Sequence, residues 1–119
     1  MDETREQKLA AARARMAELA AKFIERTQRD LRTMRADLEK AGAGDVGALT
    51  EIRYLAHRMA GTGATLGFEA LGVRAARTEA LIEALPGGAT PDPQLLDRLA
   101  ADIGALESQL AADATRTGT

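Results

Sequence analysis

Between Asp2 and Ala41 the chain contains neither glycine nor proline. Within that run Met16, Leu19, Phe23, Leu31, Met34 and Leu38 recur close to the helical period. Such a stretch folds as one helix over residues 2–41, and unbroken it would be about 60 Å long. That exceeds the length of a compact bundle. The first part must therefore project, bend or self-associate, and residues 1–15 are assigned to a projecting helical extension. Glu18 with Lys22 and Glu25 with Arg29 are favourable i,i+4 pairs on its wet face. Arg26, Arg29, Arg32 and Arg35 read as a solvated face rather than a binding stripe.

The remainder divides into three more helices. "AGAGD" (41–45) is a loop whose Asp45 is placed to cap a second helix over 46–66, with Gly67 as its stop. A third helix starts near Phe68 and carries Leu71, Ala75, Thr78, Ile82 and Leu85 inward. "PGGATPDP" (86–93) holds all three prolines and is a loop. Asp92 then suits an N-cap, with Pro93 at the first helical position. In the fourth helix Leu96, Leu99, Ile103, Leu106 and Leu110 alternate at spacings of three and four, and residues 112–119 form a small, polar, frayed tail. Four amphipathic helices with short connections predict a single all-α domain, an antiparallel up-and-down four-helix bundle with a long N-terminal helix.

Composition narrows the function. Hydrophobic residues reach 45% but aromatics only 3%, and the net charge is -2 with no basic block. A nucleic-acid surface needs clustered cations and stacking rings, so nucleic acid is excluded as the main partner. The absence of cysteine removes disulfides, Cys-zinc sites and thiol catalysis. One histidine without a carboxylate cluster predicts no metal site. No apolar run approaches membrane-spanning length and no signal peptide is visible, so the expected location is the cytoplasm, away from the membrane.

The one histidine, His57, lies in "LAHRMAGTGATLGF" (55–68). With His57 at zero on a helical wheel, Leu55, Leu66 and Met59 fall at about 160°, 180° and 200°, and Ile52 at about 220°. The apolar stripe is therefore opposite the imidazole, which faces solvent or a partner. Gly61 and Ala64 share its face, Ala60 lies beside it, and Arg53 and Tyr54 occupy the preceding turn. A glycine inside a helix costs about 1 kcal/mol relative to alanine. Gly63 points toward the core, where close packing explains it. Gly61 points outward, where only access to the ring does. An exposed neutral imidazole with cleared access and a nearby arginine suits a nucleophile for phosphoryl groups. A convex helix surface offers no cleft for a hydrolase, so docking of another protein fits better.

The run His57-Arg58-Met59-Ala60-Gly61-Thr62-Gly63-Ala64-Thr65-Leu66-Gly67-Phe68, continued by "ALGVRAARTEALIEAL", resembles the histidine phosphotransfer (HPt) domains of two-component phosphorelays. The resemblance covers about residues 49–85. It implies that His57 Nε2 receives a phosphoryl group from an aspartyl phosphate on a receiver domain and passes it to another receiver. It implies a carrier without an ATP-binding domain of its own, partnered by response-regulator receivers and by a hybrid sensor kinase. No cofactor is implied, because magnesium would sit in the receiver's acidic pocket. The phosphoryl environment would comprise Arg53, Arg58, Gly61 and Glu79, and the receiver would dock over Tyr54, Ala60, Ala64 and Phe68. The lysine common in the family three residues after the histidine is Ala60 here, so compensating charge must come from Arg53, Arg58 or the partner.

The Glu79 position can be checked by counting. His57 lies ten residues before Gly67 and Glu79 twelve after it. In an antiparallel hairpin these offsets are about 15 and 18 Å, so the two sit at nearly one level. Two other classes compete with this reading. A non-catalytic module could bind a receiver or self-associate through the long first helix without transferring phosphate. An enzyme using His57 as general base lacks a partner nucleophile and a pocket. A sensor-kinase dimerisation domain is disfavoured by Arg58 and by the absence of proline before Pro86.

Overall fold

The computed structural model describes residues 4–87 and 90–118. Four helices form it: α1 (Arg5–Gly42), α2 (Gly47–Thr65), α3 (Glu69–Glu83) and α4 (Pro93–Thr117). Among the described residues each helix packs only on its neighbours in a ring: α1 on α2 and α4, and α3 on α2 and α4. This is the antiparallel up-and-down bundle. Its longest dimension is 64 Å, set by α1. Every residue from Thr4 to Glu18 is exposed, so that part of α1 projects beyond its neighbours. Residues 1–3, where the sequence places the helix start, lie outside the described residues.

The helix ends follow from local chemistry. Thr4 and Gln7 form a reciprocal capping box, with Thr4 Oγ1 accepting from the Gln7 amide at 3.1 Å and Gln7 Oε1 accepting from the Thr4 amide at 2.8 Å. Asp92 Oδ1 accepts from the Leu95 amide at 2.7 Å ahead of Pro93, as its sequence position predicts. Asp45 does not cap α2. The N-cap is Val46, without a side-chain bond, and the Asp45 backbone carbonyl takes the Ala48 amide at 3.2 Å instead.

The tail expectation is also corrected. α4 continues to Thr117, and Gly118 closes it in the left-handed region at φ 76°. Asp113 anchors this end. It is buried, its Oδ1 accepts from Gln109 at 3.3 Å, and it forms an ion pair with Arg116 at 3.0 Å. The Arg116 guanidinium in turn lies 6.0 Å from the Phe68 ring centre. Thr119 lies outside the described residues.

The core is aliphatic. Ile24 and Met34 of α1, Ile52 and Met59 of α2, Leu71 of α3, and Leu99, Ile103 and Leu106 of α4 are fully enclosed. Each such side chain contributes about 1.5–3 kcal/mol by leaving water. Arg35 departs from the solvated face assigned to it. Its Nη2 and Nε donate to the two Glu107 carboxylate oxygens at 2.7 and 3.3 Å, tying α1 to α4.

α2 and α3 approach through glycine. A Cβ on Gly72 would lie 3.1 Å from the Ala60 carbonyl oxygen and 3.4 Å from the Ala64 nitrogen. One on Gly63 would lie 3.3 Å from the Phe68 carbonyl oxygen. At Gly61 nothing comes within 4 Å. Substitutions at these glycines should therefore have opposite signs. Gly72→Leu is expected to destabilise the fold by about 2–3 kcal/mol through forced separation of two backbones. Gly61→Ala should stabilise it by up to about 1 kcal/mol. Urea unfolding monitored by circular dichroism measures both, and equal midpoints for the two variants would contradict the packing described.

Candidate functional site

The turn between α2 and α3 sets the geometry of the site. Gly67 sits at φ 88°, a left-handed conformation that favours glycine. It lets the Phe68 amide reach back to the Gly63 carbonyl at 2.7 Å, while the Gly67 amide reaches Ala64 at 3.4 Å, a Schellman closure. Phe68 then turns inward. It is buried, and its ring stacks on Phe23 of α1 at 5.1 Å between centres. The sequence-based assignment of Phe68 to a docking surface is thereby corrected: its side chain pins the turn to α1 and is not available to a partner.

From this turn α2 and α3 run back side by side. His57 and Glu79 meet across them, with Nδ1 2.7 Å from Glu79 Oε2. The imidazole is 71% exposed, whereas the Glu79 side chain is only 17% exposed. The carboxylate thus forms a sheltered base beneath the ring. A carboxylate accepts only, so a neutral imidazole bonded to it carries its hydrogen on Nδ1 and leaves the Nε2 lone pair outward. Gly61 leaves open space on the face it shares with the ring.

The two arginines differ. Arg58 Nη2 donates to both Asp30 oxygens at 2.9 and 2.8 Å, reaching across to α1. That bond pushes the Arg58 pKa above its ordinary value, partly opposed by burial. Its guanidinium also lies 5.6 Å from the Tyr54 ring centre. Arg58 is therefore engaged in holding α2 to α1. Arg53 is looser, with 4.0 Å separating it from Glu83 and both side chains substantially exposed. Tyr54 and Ala64 are exposed, and Ala60 is half-buried where its carbonyl meets Gly72.

Two contributors escaped sequence reasoning. Gly72 carries half of the close approach, and its signal was available: Gly63 and Gly72 flank Gly67 four and five residues away. Asp30 had no local signal, because it lies 28 residues from the arginine it binds. Among the described residues no helix is long and apolar enough to cross a membrane. Nor does any group of three or more His, Cys, Asp or Glu among them make a metal site.

The structure thus sets an exposed histidine against a sheltered carboxylate across a two-helix hairpin in a four-helix bundle. The family model described as Hpt domain matches residues 18–109, most of the chain. The chain belongs to this family, whose general role is histidine phosphotransfer in phosphorelays. No curated protein and no solved structure matches it.

The His57–Glu79 contact has a direct spectroscopic consequence. In nitrogen-15 spectra at neutral pH the wild-type neutral ring is expected as the Nδ1-H tautomer. Glu79→Ala should move the population toward Nε2-H, while the helical circular dichroism stays unchanged. An unaltered tautomer ratio would show that Glu79 does not orient the ring.

Proposed function

We propose that His57 is the phosphoryl carrier of this chain, accepting from an aspartyl phosphate on one receiver domain and donating to an aspartate on another. The observation that carries the reading is the 2.7 Å contact of Nδ1 with Glu79 beside an otherwise exposed ring. In the accepting step the Nε2 lone pair attacks phosphorus. The P–N bond forms as the bond from phosphorus to the aspartyl oxygen breaks, and the partner's carboxylate leaves. The ring then carries positive charge, with hydrogen still on Nδ1, and the Glu79 carboxylate balances that charge at hydrogen-bond distance. Donation reverses these changes on the second receiver. No proton leaves the ring in either direction.

The phosphoryl group adds negative charge with no lysine at position 60 to meet it. Arg58 is committed to Asp30, so Arg53, one helical turn before His57 and only loosely tethered, is the cation of this chain best able to reach it. Tyr54, Ala60, Ala64 and the space over Gly61 form the surface on which a receiver settles. Magnesium belongs to the receiver's pocket, and a hybrid sensor kinase is the expected source of phosphate. On this reading the chain works in the cytoplasm as a carrier rather than a kinase.

Incubation with a phosphorylated receiver or a small phosphodonor should label the wild type with an acid-labile, base-stable phosphate. His57→Gln should remove the label without loss of helix. Label that survives the substitution would refute the assignment.

The two arginines separate in the same assay. Arg53→Ala should slow transfer several-fold with little change in stability. Arg58→Ala should cost about 1–2 kcal/mol of stability by leaving Asp30 without its partner. The reverse pattern would mean that Arg58 and not Arg53 faces the phosphoryl group.

A further inference from the structure

The exposed part of α1 has a pattern that phosphotransfer does not use. Leu9, Ala12, Met16, Leu19 and Phe23 follow one another at alternating spacings of three and four, the a and d positions of a coiled-coil heptad. The pattern runs unbroken into the core, because Phe23 is buried against Gly63 of α2 and Phe68 of the α2–α3 turn. Leu19 is half-buried, and above it the seam is uncovered: Leu9 is 48% exposed and Met16 50%. From Arg5 to Glu18 it extends about 21 Å along the helix axis.

The residues flanking the seam decide what can cover it. In this frame the g positions are Lys8, Arg15 and Lys22, and the e positions are Glu6, Arg13 and Ala20. Lys8, Arg15 and Lys22 are exposed and, among the described residues, form no ion pair. Between Thr4 and Lys22 the segment carries Arg5, Lys8, Arg13, Arg15 and Lys22 against Glu6 and Glu18, in a protein whose net charge is -2. A second copy of the same helix is disfavoured in either orientation. Parallel pairing sets Lys8 against Arg13. Antiparallel pairing sets the g-position cations against each other and Arg13 against itself. Like charges at these positions oppose association. An anionic membrane is also a poor fit. Such helices present a broad apolar face with aromatic anchors, whereas this seam is narrow and has no aromatic residue before Phe23.

We propose that the projecting part of α1 is a docking helix for an acidic amphipathic helix of a partner protein. The two would pair as a short heterotypic coiled coil. The partner would place aliphatic side chains against Leu9, Ala12, Met16 and Leu19, and Asp or Glu opposite Lys8, Arg15 and Lys22. It would sit on the end of the bundle at the α2–α3 turn, leaving His57 open about 18 Å below the level of Glu18. The docking is independent of the phosphotransfer reading.

The test titrates the full chain with two synthetic three-heptad peptides, both with Leu at a and d. One has Glu at e and g, the other Lys. Fluorescence anisotropy at about 50 mM salt should show at least about tenfold tighter binding of the acidic peptide, lost by about 500 mM salt as the charges are screened. Sedimentation velocity should show a monomer alone and an equimolar complex with the acidic peptide. The variant Lys8→Glu/Arg15→Glu/Lys22→Glu changes only exposed side chains, so it should keep the wild-type melting curve and prefer the basic peptide. Equal affinity for both peptides, no binding at about 100 μM, a wild-type dimer, or an unreversed preference in the triple variant would each overturn the proposal. So would tight binding to phosphatidylserine vesicles without a preference between the peptides.

Discussion

The approach of α2 to α3 through Gly63 and Gly72 governs the rest of the molecule. With no side chain at either position, backbone meets backbone, and a single methyl on Gly72 would press on the Ala60 carbonyl at 3.1 Å. A hydrogen bond between side chains has little tolerance in distance. His57 and Glu79 meet at 2.7 Å because the axes carrying them are this close and because the Gly67 turn holds their register. Moving the helices apart by the width of a methyl group would turn a hydrogen bond into a gap. The site is thus a property of the hairpin's spacing as much as of the two residues that form it.

Charge is distributed to match. The imidazole stands in solvent while its carboxylate partner is sheltered, so competing water is kept from the Nδ1 side of the ring and admitted on the Nε2 side. The arginines divide the remaining work. Arg35 and Arg58 bind carboxylates on neighbouring helices and fix the bundle. Arg53 keeps a loose contact. Position 60 is alanine, so this chain carries less positive charge beside its histidine than the usual family pattern supplies.

The sequence exposed those features that depend on periodicity and on backbone chemistry. The glycine-free run marked α1, the alternation of Leu96, Leu99, Ile103, Leu106 and Leu110 marked α4, and Asp92 with Pro93 marked its start. The outward direction of His57 and the level of Glu79 followed from counting, because a rigid helix converts residue number into angle and distance. What stayed hidden required knowledge of neighbours. Phe68 reads as a surface residue at a helix start, yet the Schellman turn swings it onto Phe23. The polar tail after Ala112 gives no sign of helix, because its anchor is the buried Asp113 and the Arg116 that covers it. Asp45 lost its capping role when the backbone turn supplied its own carbonyl.

The ring-like packing order has a consequence for how the chain reaches its structure. His57 and Glu79 are 22 residues apart across one tight turn, whereas Arg35 and Glu107 are 72 apart. Closing a short loop loses less chain entropy than closing a long one, and contacts local in sequence form early. Both terms favour formation of the α2–α3 hairpin ahead of the pairing of α1 with α4. His57 and its carboxylate are brought together in the part of the chain that needs the least help from the rest.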